Sequence, residues 1–211
     1  MYRVDVTCLS LREFGSPLGP LLVGAVEPGA SSAEPGGVCL LELGDDDRRR
    51  REIGELEAHF GSSFERDDAS PLLDRVAAWL DGYFGGDAPD MDLPLCTPGT
   101  RFQHEVWDAM RRIPLGATVT YGQLARDIGR DAAAARAVGA ASGRNRVSIL
   151  IPCHRVVDLA YDAESGGTAG LRGYGGGLEN KRWLLDHERR VAGGPSLFES
   201  LLRDRAESPR R

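Results

Sequence analysis

The chain has 211 residues, 41% of them hydrophobic and 27% charged, with a formal net charge of −6 at pH 7. That length buries a real core as one large domain or two small ones, and the composition excludes disordered and fibrous classes. No apolar run is long enough to span a bilayer and MYRVDVTCLS lacks a signal-peptide core, so a cytoplasmic protein without a membrane partner is expected.

Residues 1–96 read as a small α/β domain with antiparallel strands. VDVTCLS and LGPLLVGAV alternate or run apolar as strands do, GSPLG marks the turn between them, and GVCLLEL reads as a third strand. EPGASSAEPGG is a loop, and DDDRRRRE a charged, solvated connector. From Ser70, the residues Leu72, Val76, Trp79, Leu80 and Phe84 fall at helical spacings, and Gly85-Gly86 ends the helix. The proline-rich stretch 85–98 is a linker. Cys8, Cys39, Cys96 and Cys153 form no CxxC pair, so free thiols are expected. A scattered metal site on Cys8, Cys39 and His59 is the minor alternative; no metal and no cofactor is assigned.

Charge reverses along the chain. Residues 1–96 hold 8 basic and 19 acidic side chains, residues 97–190 hold 14 and 10, and 100–155 alone has 9 arginines against 4 acids. A protein's field is local within a Debye length of ~8–10 Å, so one basic face can take a polyanion while the other half stays acidic.

The second half, 97–190, is mostly helical. Phe102, Val106, Met110 and Ile113 form a helical stripe, with Trp107 beside Val106, and Pro114 stops it. TYGQLARDIGRDAAAARAVGAASGRN then reads as two short helices, about 121–128 and 132–142, joined by a turn containing Gly129. That is the shape of a helix-turn-helix, with Leu124, Ile128, Ala135 and Val138 packing the pair. The second helix is nearly all small residues, with Arg136 its long projecting side chain. Such a face suits either tight helix packing or close approach to a nucleic-acid groove. The fold class is therefore α+β: an N-terminal α/β domain, a C-terminal domain with a helix-turn-helix, and a polar extension over 191–211.

LIPCHRVV at 150–157 carries the chemistry. Val147, Ile149, Leu150 and Ile151 look like a strand ending at Pro152, after which Cys153 and His154 stand side by side. A thiolate is the nucleophile, so Cys153 needs a base, and His154 is the candidate. Neighbours in an extended chain point to opposite faces, so their coupling needs a bend at Pro152 or a bridging water. The imidazole in turn needs a partner on its other nitrogen, supplied by Glu188, with Asp186 and His187 as rivals. Arg155 and the valines are read as structural. Spacing alone leaves a thiol hydrolase and a thiol acceptor both open. The flexible RGYGGG stretch, with Tyr174 among glycines, suits stacking on a flat base or a plain surface turn.

The run GTRFQHEVW, IPLGATVTYGQLA, AARAVGAA, GRN, ILIPCHRVV, GYGGG and KRWLLDHE resembles the O6-alkylguanine-DNA alkyltransferases over 99–188, and SPLGPLLVGA resembles their first domain. The resemblance implies direct-reversal DNA repair in a single turnover, with Cys153 accepting the alkyl group from O6 of guanine. It implies that His154 acts through a water, that Glu188 holds His154, and that Asn145 orders the turn behind the cysteine. Tyr121 would donate to the guanine, the Gly175 N–H would contact O6, and the carbonyls of Cys153 and Val156 would accept from the exocyclic amine. Tyr174, Gly176 and Lys181 complete the substrate and DNA-binding set. Arg136, on a helix in the minor groove of double-stranded DNA, would replace the flipped base, in a monomer.

Three departures accompany this resemblance. Arg146 stands where a proline is expected, which predicts a looser turn. The interval from Cys153 to Tyr174 is some eight residues long beyond expectation, and the turn between the two helices is one residue longer. A cysteine-free relative that binds alkylguanine without repair, and a cysteine hydrolase, are the rival readings.

Overall fold

The computed structural model describes residues 6–28, 36–87, 90, 92–161, 170, 171 and 173–193. The loop over 29–35, most of the insert after Tyr161 and the extension beyond 193 lie outside the described residues. The chain forms two compact units, one of residues up to Arg101 with Asn145–Ile151, the other of Phe102–Arg144 with the residues from Pro152 on. The first unit thus takes in a segment, 145–151, that the sequence assigns to the second half. It does so through backbone pairing with a strand: Leu41 N–H donates to Arg146 O at 2.8 Å and Ser148 N–H to Leu41 O at 3.0 Å.

In the first unit β1 (Val6–Phe14), β2 (Leu21–Pro28), β3 (Gly37–Glu42) and β4 (Phe64–Arg66) form a sheet in the order β3-β2-β1-β4. The three expected strands pair antiparallel, and β4 adds in parallel to β1. Leu9, Val26, Cys39, Leu40 and Leu56 make one core cluster, with Phe64 packed against it. Gly24 has a steric reason to be glycine, because a Cβ there would lie 2.8 Å from the Phe64 ring.

The stretch read as a solvated connector is instead the start of helix α1 (Asp46–Phe60). Arginine and glutamate are good helix formers. Asp45 caps the first turn by accepting from Arg48 N–H, Asp46 and Asp47 complement the dipole, and Gly61 closes the helix at φ 68°. Dense like-signed charge reads as connector only if its partners are ignored, and here Glu42 and Glu52 supply them. The expected second helix, α2 (Pro71–Gly85), starts at the Ser70 cap and ends at Gly86.

The second unit opens with α3 (Arg101–Arg111), whose Val106 and Met110 are fully buried. Trp107 donates from Nε1 to the Ala141 carbonyl at 3.0 Å, tying α3 to a later helix. Strands β5 (Val119–Thr120) and β6 (Val156–Val157) pair in parallel. Helix α4 (Tyr121–Asp127) begins in a capping box between Thr120 and Gln123. Gly129 turns the chain at φ 71°. The expected helix 132–142 starts as a 3-10 turn, Ala132–Ala134, and continues as α5 (Ala135–Ser142). Leu124 and Val138 are buried between α4 and α5. Helix α6 (Leu178–Val191) follows, with Leu184, Leu185 and Glu188 inward.

Candidate active site

The segment expected as a strand, 147–151, is not one. Leu150 N–H donates to Ser148 O at 2.8 Å around Ile149, which sits at φ 70°. This is the rare, strained γ-turn of positive φ, unusual for a β-branched residue. Such strain costs about 1–3 kcal/mol and persists only where surrounding contacts fix it. Those contacts are visible: Asn145 Nδ2 donates to Ile151 O at 2.8 Å, Val147 N–H donates to Asn145 Oδ1 at 2.9 Å, and Ile151 N–H donates to Val147 O at 2.9 Å. Asn145 therefore hydrogen-bonds both ends of the turn that leads into Pro152. Arg146, standing where a proline is expected, pairs its guanidinium with Glu52 and Glu55 of α1.

After Pro152 the chain winds into a 3-10 turn, Cys153–Arg155, before joining β6. Cys153 and His154 therefore do not alternate across a strand. His154 is fully buried and its Nε2 meets Glu188 Oε1 at 2.7 Å, while Nδ1 is buried without a hydrogen-bond partner. Of the two rivals, Asp186 is occupied with Arg189 and Arg190, and the His187 ring stacks on Trp183. Glu188 is the partner.

Arg155, read from the sequence only as structural, binds the same carboxylate. Its Nε donates to Glu188 Oε2 at 2.8 Å, its NH2 to Oε1 at 2.9 Å, and its NH1 to Ile113 O at 2.5 Å. Gly116 N–H adds a bond to Oε2 at 3.3 Å. Burial alone raises the Glu188 carboxyl, but His154 and Arg155 outweigh it and hold the acid well below the ordinary range. Burial pushes the His154 imidazole down, against the pull of Glu188, and the Arg155 and Lys181 charges push the same way. Burial chiefly, with the Arg155 and Lys181 charges adding to it, thus keeps the imidazole neutral beside the Glu188 carboxylate. An arginine inside a run of buried valines was the available signal, since a buried charge must be paired.

The remaining assigned residues gather in the same unit. Cys153 is 9% exposed. Burial, then Cys153 and Asp158, push the Tyr121 phenol up, so it stays a proton donor. Lys181 is fully buried, donates from Nζ to Val156 O at 2.7 Å, and is pushed down to about 8 by burial. The Cys153 carbonyl likewise accepts from Val156 N–H. Both carbonyls implied for the guanine amine thus accept a bond within the protein. Tyr174 is buried, edge-on to the His154 ring at 6.5 Å, and Gly175 and Gly176 follow it before α6. A cleft of about 800 Å³ is lined by Tyr121, Arg136, Gly139, Val157 and Gly173 among others, and Arg136 is exposed there. Among the described residues no group of three His, Cys, Asp or Glu could hold a metal, and Cys39 lies in the core with its thiol pushed up by burial. Nor is any helix among them long and apolar enough to cross a membrane.

The family model for the 6-O-methylguanine DNA methyltransferase DNA-binding domain matches residues 101–190. A methylated-DNA–protein-cysteine methyltransferase of Shigella flexneri is 50% identical over 182 residues, 84% of this chain and 94% of its own. The chain belongs to the methylated-DNA–protein-cysteine methyltransferase family. A methyltransferase of this family from Mycolicibacterium paratuberculosis is 45% identical over 111 residues, 53% of this chain and 62% of its own. The crystal structure of the Mycobacterium tuberculosis O6-methylguanine methyltransferase matches with a TM-score of 0.61 at 32% identity, covering 87% of this chain and 94% of that one. The same organism's OGT in complex with DNA also matches at 0.61 and 32% identity, covering 91% and 99%.

Proposed function

We propose that this methyltransferase repairs DNA by direct reversal, moving the alkyl group from O6 of guanine to the sulfur of Cys153. The observation that carries the reading is the buried Cys153–Arg155 turn, in a chain of this family, beside a neutral imidazole whose far nitrogen is fixed by Glu188. A water bridging the thiol and His154 Nδ1 gives its proton to the imidazole as it takes the one from Cys153. The thiolate attacks the alkyl carbon from behind, the C–O6 bond breaks, and its electron pair leaves on guanine. Tyr121 donates to the base as that charge develops, the Gly175 N–H contacts O6, and guanine regains a proton on N1. The products are S-alkylcysteine and guanine. No group in the site can cleave a thioether, so each molecule reacts once.

An atom at O6 is out of reach inside the stack, so the nucleotide flips out, at a cost of roughly a few kcal/mol. The small-residue face of α5 supports close approach to the minor groove, with Arg136 filling the gap in the duplex, and a monomer suffices for this. Transfer of label from O6-methylguanine in duplex DNA tests the reading. Label appears on the protein up to one equivalent and is lost in Cys153→Ser. Turnover beyond one equivalent, or unimpaired transfer by that variant, contradicts it.

A further inference from the structure

Two cysteines of the first unit are brought opposite each other by a backbone bridge. At the outer edge of β3, Val38 pairs in parallel with Leu95. Val38 N–H donates to Pro94 O at 2.8 Å, and Cys96 N–H donates to Val38 O at 3.0 Å. The approach is close, since a Cβ on Gly37 would lie 2.7 Å from the Leu95 carbonyl carbon. One residue further along each segment, the same register sets Cys39 against Cys96. Partners in register share a face of the sheet, and adjacent strands lie about 4.8 Å apart. A disulfide spans Cα separations of about 4.4–6.8 Å, so the pair falls within reach. Side-chain packing agrees, because Cys96 lies against the core cluster that contains Cys39. Cys8 is no rival for Cys39, because β2 separates β1 from β3, about 9.6 Å of strand spacing.

The two thiols differ in access. Cys39 is fully buried, while Cys96 is half-buried. Burial, with the neighbouring Cys96 adding to it, pushes the Cys39 thiol far up, so it stays protonated. A solute therefore meets Cys96 first. Among the described residues no group of three His, Cys, Asp or Glu could hold a metal, which leaves the pair to sulfur–sulfur chemistry. At about 4.8 Å the two residues stand closer than the usual 5.5–6 Å of a disulfide, and a strained bridge is one that reductants reopen readily.

We propose that Cys39 and Cys96 form a reversible modification site, a dithiol that a low-molecular-weight disulfide such as oxidised glutathione converts to an intramolecular bridge. The Cys96 thiolate attacks the glutathione disulfide, forming a mixed disulfide and releasing one glutathione thiolate. The Cys39 sulfur then attacks the Cys96 sulfur, its proton passes to solvent, and the second glutathione leaves as thiolate. Two protein thiols are oxidised and one glutathione disulfide is reduced to two thiols. The bridge pins the Leu95–Cys96 segment to β3 and closes a loop that holds α1, β4 and α2.

The test is to treat the folded full-length chain with oxidised glutathione, quench it with acid and map its peptides by mass without reduction. Peptides joined through Cys39 and Cys96 accumulate, about 2 Da lighter than the two thiol forms together, and dithiothreitol separates them again. In Cys39→Ala the glutathione adduct stays on Cys96, and in Cys96→Ala Cys39 remains a thiol. A bridge that forms only in urea overturns the proposal. So does an adduct that persists on Cys96 of the unaltered chain, or a Cys96 thiol that stays unmodified while Cys8 or Cys153 reacts.

Discussion

Arg155 grips both oxygens of Glu188, at 2.8 and 2.9 Å, and so leaves that carboxylate to orient His154 without charging it. Burial is the larger cause that holds the ring neutral, and the Arg155 charge adds to it. Removing Arg155 therefore has two consequences. Arg155→Leu strands a buried carboxylate and costs about 3–5 kcal/mol of stability, read by urea denaturation. It also raises the His154 pKa, so the pH at which alkylation reaches half its maximum rate moves upward.

In the unaltered protein the same profile has a defined sign. His154 is pushed below the ordinary imidazole value of about 6.5 by burial. Alkylation of Cys153 by free O6-benzylguanine therefore stays level as pH falls through about 6.5 and declines only at lower pH. Protonation of the buried ring is disfavoured in the fold, so stability also falls with pH below the unfolded-state value. Glu188, held low, contributes stability that is complete above the ordinary carboxylate range and drains only in strong acid. A rate already halved at pH 7 contradicts this assignment.

Lys181 titrates in the opposite range. Its folded-state pKa of about 8 lies below the unfolded value of about 10.4, so folding releases a proton between them. Stability from this group rises as pH increases from 8 towards 10.4, by about 2 kcal/mol between pH 7 and 9.5. Urea midpoints for the unaltered protein and for Lys181→Met isolate the effect, because the difference between them narrows or reverses with pH by that amount.

Arg136 is exposed on the cleft and distant in role from the proton chemistry. Arg136→Ala weakens repair of O6-methylguanine in duplex DNA, and the slope of log affinity against log salt falls by about 1 if its contact is to phosphate. Reaction with free O6-benzylguanine is unchanged. Equal losses on duplex and free base contradict a role in base flipping.

The sheet strands, the α2 cap at Ser70 and the paired helices α4 and α5 were legible because local signals and packing agree there. Helix α1 was not, since its arginines look solvated until Glu42 and Glu52 are found across the fold. The apolar run 147–151 has a strand's composition, yet Asn145 and the pairing with Leu41 force a γ-turn on it. The sequence paired His154 with Glu188, and the fold brings those two side chains into contact. The ion pairs of the buried Arg155 and of Arg146 were not legible, because both depend on partners 33 to 94 residues away.

Intact-mass and peptide mapping after mixing with duplex O6-methylguanine DNA test the central claim most directly. One methyl group is added, located on Cys153, reaching one equivalent and no more while guanine is restored in the DNA. An unmodified Cys153 alongside repaired DNA, or a methyl group on another residue, would contradict it.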